Sequence, residues 1–294
     1  MRSLRRIGIV RIVMITVLLP NASVLNAADV GPAKGSLVLI GGGRLGEAIV
    51  KRFVDLAGGP GELIVVIPTA GGAEDYDEHF ADLRQFRAAG MKNVMVLHTY
   101  DRAVADSEKF VEPLRRARGV FFSGGRQWRL ADAYLNTRTH RELRALLDRG
   151  GVIAGTSAGA TILGSFLVRG DTKGNEVMIG DHTDGFGFLR NVAVDQHLLR
   201  RNRQFDMLEV IEAQPTLLGV GIDEDTAIVV QQDQFEVIGN SYVVIYDNRR
   251  YIPPSGPFYF LAQGDRYNLS TRQPSRSTQT ITPIERVKQR GLAK

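Results

Sequence analysis

The stretch Gly151-Val152-Ile153-Ala154-Gly155-Thr156-Ser157-Ala158-Gly159-Ala160 decides the fold. Its first half is an apolar run after paired glycines, the pattern of a short buried strand. Its second half consists of small residues that let the backbone turn sharply into a helix. A strand, a tight turn and a helix form the repeating unit of a parallel sheet.

The same alternation extends toward the N-terminus. Leu37-Val38-Leu39-Ile40 reads as a strand ending at Gly41-Gly42-Gly43, and a helix is expected over Glu47 to Leu56 with Ile49, Val50 and Phe53 on one face. Leu63 to Ile67 is a strand stopped by Pro68, and a helix carrying Phe80, Leu83 and Phe86 follows. The strand Val94 to Leu97, a helix near Phe110 to Ala117, the strand Val120 to Phe122 and one helical region from Leu130 to Leu147 complete the run. Continuous apolar strands between amphipathic helices predict an α/β fold with a mostly parallel sheet covered by helices on both faces. Beyond it, Gly219 to Val230, Phe235 to Ile238 and Tyr242 to Tyr246 read as strands without intervening helices, an antiparallel C-terminal extension of the sheet. The expected organisation is one domain over residues 29–270 and a polar, mobile tail over 271–294.

The first 28 residues stand apart. Arg2, Arg5 and Arg6 precede an apolar run from Ile7 to Leu19, Pro20 breaks it, and Ala27-Ala28 offers a cleavage site. This is the pattern of a signal peptide, so export to the periplasm or the exterior is expected, with no stable membrane insertion after processing. The chain of 294 residues has a net charge of +5, and four arginines without an acidic residue lie in that leader. Removing it leaves about +1, which withdraws the electrostatic case for nucleic-acid binding. No cysteine is present, which excludes disulfides and thiolate chemistry.

Gly155-Thr156-Ser157-Ala158-Gly159 is a G-x-S-x-G sequence between a strand and a helix, the setting that presents a serine hydroxyl as a nucleophile. A base is then needed. Of His79, His98, His140, His182 and His197, the last stands out by its context Val194-Asp195-Gln196-His197. Asp223-Glu224-Asp225 puts three carboxylates after an apolar strand, and one of them can orient an imidazole. That choice gives the chain order Ser, His, acid. The lipase and esterase order, Ser, acid, His, survives only if Asp181, Asp184 or Asp195 is the acid. Gly41-x-Gly43-x-x-Gly46 matches a dinucleotide fingerprint, but the next strand ends in Pro68-Thr69-Ala70 rather than an acidic residue. It is read as a close-packed turn. No metal and no cofactor are expected.

Five stretches in this order resemble the cyanophycinase and aspartyl-dipeptidase family of serine peptidases. They are Ile67-Pro68-Thr69-Ala70, Phe121-Phe122-Ser123-Gly124-Gly125-Arg126-Gln127, Gly151 to Ala160, Val194 to His197 and Gly221-Ile222-Asp223-Glu224-Asp225-Thr226-Ala227. The resemblance implies a fold like that of the class I glutamine amidotransferases, in the flavodoxin-like manner, with a Ser–His–Glu triad. Carried across, Ser157 is the nucleophile, His197 the base and Glu224 the acid. Gly125 and Ala158 would form the oxyanion hole, and Gln127, Asp195, Arg201 and Arg203 would line the substrate pocket. The implied substrates are aspartyl, β-linked peptides such as cyanophycin or its dipeptides, and a homodimer is suggested. Two departures bear on specificity: Arg126 stands where an acidic residue is expected, and Asp206 where the family carries an arginine. A non-catalytic binding protein on the same fold and an esterase are the alternatives.

Overall fold

The polypeptide alternates as expected because each apolar strand must bury both of its faces. The computed structural model describes residues 30–250 and 257–277. The leader at 1–28 and the part of the tail beyond 277 lie outside the described residues.

The strands are β1 (Ser36–Ile40), β2 (Leu63–Ile67), β3 (Asn93–Val96), β4 (Gly119–Phe122), β5 (Val152–Thr156), β6 (Gly164–Phe166) and β7 (Leu189–Gln196). They continue with β8 (Leu218–Ile222), β9 (Thr226–Gln231), β10 (Gln234–Gly239), β11 (Val243–Tyr246), β12 (Phe258–Leu261), β13 (Arg266–Asn268) and β14 (Gln273–Ser275). The helices are α1 (Glu47–Leu56), α2 (Ala81–Ala88), α3 (Arg102–Ala105), α4 (Glu108–Arg116), α5 (Gln127–Tyr134), α6 (Arg138–Asp148), α7 (Ala158–Thr161) and α8 (Met207–Ala213).

One sheet runs β14-β13-β10-β9-β1-β5-β4-β2-β3, and the segment β1-β5-β4-β2-β3 is parallel. Alternation along β1 explains its all-apolar sequence. Leu37 and Leu39 face one core with Leu114 and Leu143 of α4 and α6, while Val38 and Ile40 face the other with Val50 and Phe53 of α1 and Phe86 of α2. Residues two apart share a face, so covering both faces requires an unbroken apolar run.

The C-terminal part differs from its expected form. The run from Gly219 to Val230 is two strands, not one. β8 lies in a second sheet of order β12-β11-β8-β7-β6, whereas β9 pairs antiparallel with β1 in the first. The chain crosses between the sheets through Asp223-Glu224-Asp225, where Asp225 has φ 53°. Three successive polar residues favour a turn over a continuous buried strand. Val192, Val194, Val220 and Ile222 of the second sheet join the core that Leu37 and Leu39 enter, so the two sheets share apolar packing. The antiparallel extension itself is present as β9, β10, β13 and β14.

Two further differences have local causes. The helical region from Leu130 to Leu147 is broken between α5 and α6, where Asn136 takes φ 62°, a conformation asparagine tolerates. The tail does not begin at 271. Gln273–Ser275 pairs with β13, and buried Arg272 binds Asp247 at 2.6 Å. Among the described residues no helix is long and apolar enough to cross a membrane.

A buried cluster of charges ties the end of β7 in place. Arg169 is fully buried and donates from Nε and Nη2 to both oxygens of Asp195, which is fully buried too, at 2.8 and 2.9 Å. A third bond runs from Nη2 to Asp206 at 2.6 Å. Removing one partner strands a charge without water, which costs about 3–5 kcal/mol, more than the pair itself contributes. Arg169→Met is therefore expected to lower the unfolding free energy by about 3–5 kcal/mol in urea titrations. The double variant Arg169→Met/Asp195→Asn should recover part of it. A loss under about 1 kcal/mol would show that Asp195 does not depend on this partner.

Candidate active site

The site forms where the C-terminal ends of β1, β4 and β5 meet the two segments that leave the second sheet. Three consecutive carbonyls at the end of β1 organise it. Ile40 O accepts from Ser157 N at 2.9 Å, Gly41 O from His197 N at 2.8 Å and Gly42 O from Asp225 N at 3.2 Å. Three segments distant in sequence are thereby held on one short piece of backbone.

Ser157 follows β5 directly and has φ 54° and ψ −118°. This strained turn lifts the hydroxyl off the sheet. Its Oγ lies 2.9 Å from His197 Nε2, and His197 Nδ1 lies 2.6 Å from Glu224 Oε1. The carboxylate accepts a hydrogen bond from Nδ1–H and so selects the tautomer whose Nε2 accepts from the serine. Burial holds the imidazole pKa below its ordinary 6.5, Arg201 and Arg203 add to that effect, and the bond to Glu224 opposes it. The ring is therefore neutral at pH 7, the form required of a base.

Opposite the serine, Gly125 sits in the turn after β4. Its φ is 143°, and a Cβ there would fall 2.1 Å from Ala70 O, so the turn requires glycine. Ala158 is the first residue of α7, and the first amides of a helix have no partner within it. Ala158 directly follows Ser157, and the turn that carries Gly125 approaches the same serine, since a Cβ on the adjoining Gly124 would lie 3.3 Å from Ser157 Cβ. The turn is braced by Ser123, whose Oγ donates to Asp82 Oδ2 at 2.5 Å.

The expected pocket residues divide. Arg201 is exposed beside the base, and Arg203 is buried within reach of Gln196. Asp195 does not open onto the site. It is fully buried and both of its oxygens are taken by Arg169, so the expectation that it receives substrate is corrected to that of an internal counterion. Gln127 is buried as well, with its Nε2 donating to Val168 O at 2.8 Å. Asp206 is also engaged by Arg169.

Three participants went unnoticed in the sequence. Gln196 brings Oε1 within 3.5 Å of both Ser157 Oγ and Arg203 Nη1, and its only signal was adjacency to His197. Arg169 gave no signal. The third is the glycine turn after β1, read earlier only as close packing. A Cβ on Gly42 would lie 2.2 Å from the His197 ring, and one on Gly43 would lie 2.8 Å from Glu224 Oε2. The turn is the seat of the imidazole and its carboxylate. Among the described residues no group of three His, Asp or Glu side chains is arranged to hold a metal. His182 instead bridges Asp132 and Asp181 at 2.8 and 2.9 Å.

The profile of Peptidase family S51 matches residues 37–238. A cyanophycinase of Geminocystis herdmanii is 32% identical over 264 residues, covering 82% of this chain and 96% of that protein. A cyanophycinase of Synechococcus elongatus is 35% identical over 262 residues, covering 82% and 81%. The crystal structure of a peptidase from an acI-B1 Actinobacterium superposes with a TM-score of 0.64 at 28% identity, covering 81% of this chain and 98% of that one. The chain belongs to Peptidase family S51 and is a serine-type peptidase of α/β fold.

The seat of the imidazole generates a prediction with an internal control. Gly42→Ala is expected to displace the His197 ring and lower kcat/KM by about 100-fold or more, since a shift near 1 Å has that effect. Gly90 also has a positive φ, 92°, but open space around it. Gly90→Ala should carry a similar backbone cost, about 1–2 kcal/mol in urea unfolding, with activity intact. Equal activities in the two variants would reject the seat.

Proposed function

We propose that this chain is an exported, cyanophycinase-like peptidase that hydrolyses β-aspartyl peptide bonds through an acyl-enzyme on Ser157. The observation that carries the reading is the continuous path from Ser157 Oγ to His197 Nε2 and from Nδ1 to Glu224, at 2.9 and 2.6 Å.

In acylation His197 takes the proton as Oγ attacks the scissile carbonyl carbon. The Gly125 and Ala158 amides receive the resulting oxyanion, and Glu224 stabilises the imidazolium. When the tetrahedral species collapses, the C–N bond breaks and His197 gives its proton to the departing amine. A water then repeats the sequence on the ester, releasing the acid and restoring the serine.

Support for an acidic substrate comes from positive charge near the base, from exposed Arg201 and buried Arg203. A guanidinium binds a carboxylate through paired donors. The named relatives are cyanophycinases, which favours cyanophycin or its β-linked dipeptides as the substrate class. Asp206 replaces an expected arginine, and its charge is absorbed by Arg169 rather than added to the pocket. The leaving-group side chain is therefore expected to differ from the usual arginine. The basic, apolar leader supports export, and the family resemblance supports a homodimer.

A fluorophosphonate probe should label Ser157, and Ser157→Ala or His197→Ala should lower kcat by at least about 1,000-fold with the fold retained. The wild-type kcat/KM should rise with pH as His197 loses its proton, with a midpoint below 6.5 because burial lowers its pKa. Residual activity near that of the wild type in pure, folded Ser157→Ala would defeat the mechanism.

Substrate class is tested with one panel. Isoaspartyl peptides are expected to exceed their α-linked counterparts in kcat/KM, and Arg201→Ala should cost most where the substrate carboxylate is free. Simple esters turned over with no preference among peptides would favour the esterase reading. Labelling without turnover of any peptide or ester would favour a binding role.

A further inference from the structure

Two arginines are buried side by side near the nucleophile, and they are satisfied very differently. Arg169 makes three bonds of 2.6 to 2.9 Å to two carboxylates and one of 2.9 Å to Asn175 O. Arg203 is 3% exposed, yet its bonds are long: 3.4 Å to Gln196 O, 3.5 Å to Gln196 Oε1 and 3.3 Å to Glu176 Oε1. Charge-assisted bonds normally close to 2.7–2.9 Å. Arg203 is thus a buried cation held loosely, and its ion-pair partner among the described residues is unusual. The Glu176 side chain is 84% exposed, on the connection between β6 and β7, while that of Arg203 is 4% exposed. The carboxylate reaches from solvent to the mouth of the recess that holds the guanidinium.

This connection is anchored around the contact rather than by it. Val168 O accepts from Gln127, Asp171 O from Arg126 and Asn175 O from Arg169. The backbone is therefore held without Glu176, whose side chain remains free to swing out. The guanidinium beneath it leads directly to the nucleophile, since Gln196 Oε1 lies 3.5 Å from both Arg203 Nη1 and Ser157 Oγ.

We propose that Glu176 is a removable counterion: in the free protein its carboxylate occupies the anion position of Arg203, and a substrate carboxylate enters by displacing it. The inference rests on the reading above, in which the substrate is acidic. Glu176 then sets the threshold for entry. A carboxylate-bearing peptide repays Arg203 for the lost ion pair, while a neutral peptide leaves Glu176 in place.

Glu176→Gln keeps the shape and removes the charge at an exposed position, so the fold is not at stake. Steady-state kinetics of full-length protein on isoaspartyl peptides with a free carboxylate should show KM lowered about two- to fivefold, the range of a partly exposed ion pair, with kcat unchanged. The same peptides amidated at that carboxylate should show no change. Arg203→Ala serves as the companion and should erase the difference between free and amidated peptides. An unchanged KM in Glu176→Gln, with the Arg203→Ala loss confined to free carboxylates, would overturn the counterion and leave the acidic-substrate reading standing. A raised KM in Glu176→Gln would also overturn it, because Glu176 would then be contacting substrate directly. Equal losses on free and amidated peptides in Arg203→Ala would remove the acidic-substrate reading, and the counterion with it.

Discussion

The end of β1 offers three successive backbone carbonyls, and the chemistry of the site hangs on them. Ile40, Gly41 and Gly42 accept the amides of Ser157, His197 and Asp225 in turn. Each bond is worth only about 1 kcal/mol in net stability. Its larger effect is positional, because an unpaired buried carbonyl is costly and the three segments cannot drift independently. Glycines at 42 and 43 make the arrangement possible by leaving the space that the imidazole and carboxylate occupy. A short hydrogen-bonded edge therefore does what a large interface would otherwise have to do.

Electrostatics then assigns different tasks to groups that look alike. Arg169 and Arg203 are both buried, but only Arg169 has carboxylates that match its geometry. It fixes the end of β7, two residues before His197, and draws Asp206 into the same network. Arg203 keeps its long bonds and depends on an exposed residue for countercharge. Burial of a cation is expensive unless it is paired, so the loose pair is the more reactive one toward an incoming anion. The same burial lowers the pKa of His197 and favours its neutral form, the form a general base requires.

How much of this was legible in the sequence follows from the range of the interactions. Helix α1 and strand β2 were readable to the residue, because periodicity and terminators are local. Ser157 was readable because its strand, turn and helix are contiguous. The split of Gly219 to Val230 between two sheets was not, since an apolar run gives no indication of which neighbours it pairs with. Asp195 was misassigned for a related reason. A carboxylate two residues before a base looks functional until its partner, 26 residues away, is located. The glycines after β1 were correctly taken as a close approach, but what approaches them comes from residues 197 and 224.

The placement of Glu224 on the crossover between the sheets gives the molecule a built-in order of events. Residues of the parallel core down to Ser157 leave the ribosome first, and domains begin to fold as they emerge. The hydroxyl has no partner until β7 delivers His197, and the imidazole has none until the chain has passed from β8 into β9 beside β1. A nascent or threaded chain therefore carries an inert serine. The Ser157–His197–Glu224 arrangement is complete only once the two sheets have closed on each other.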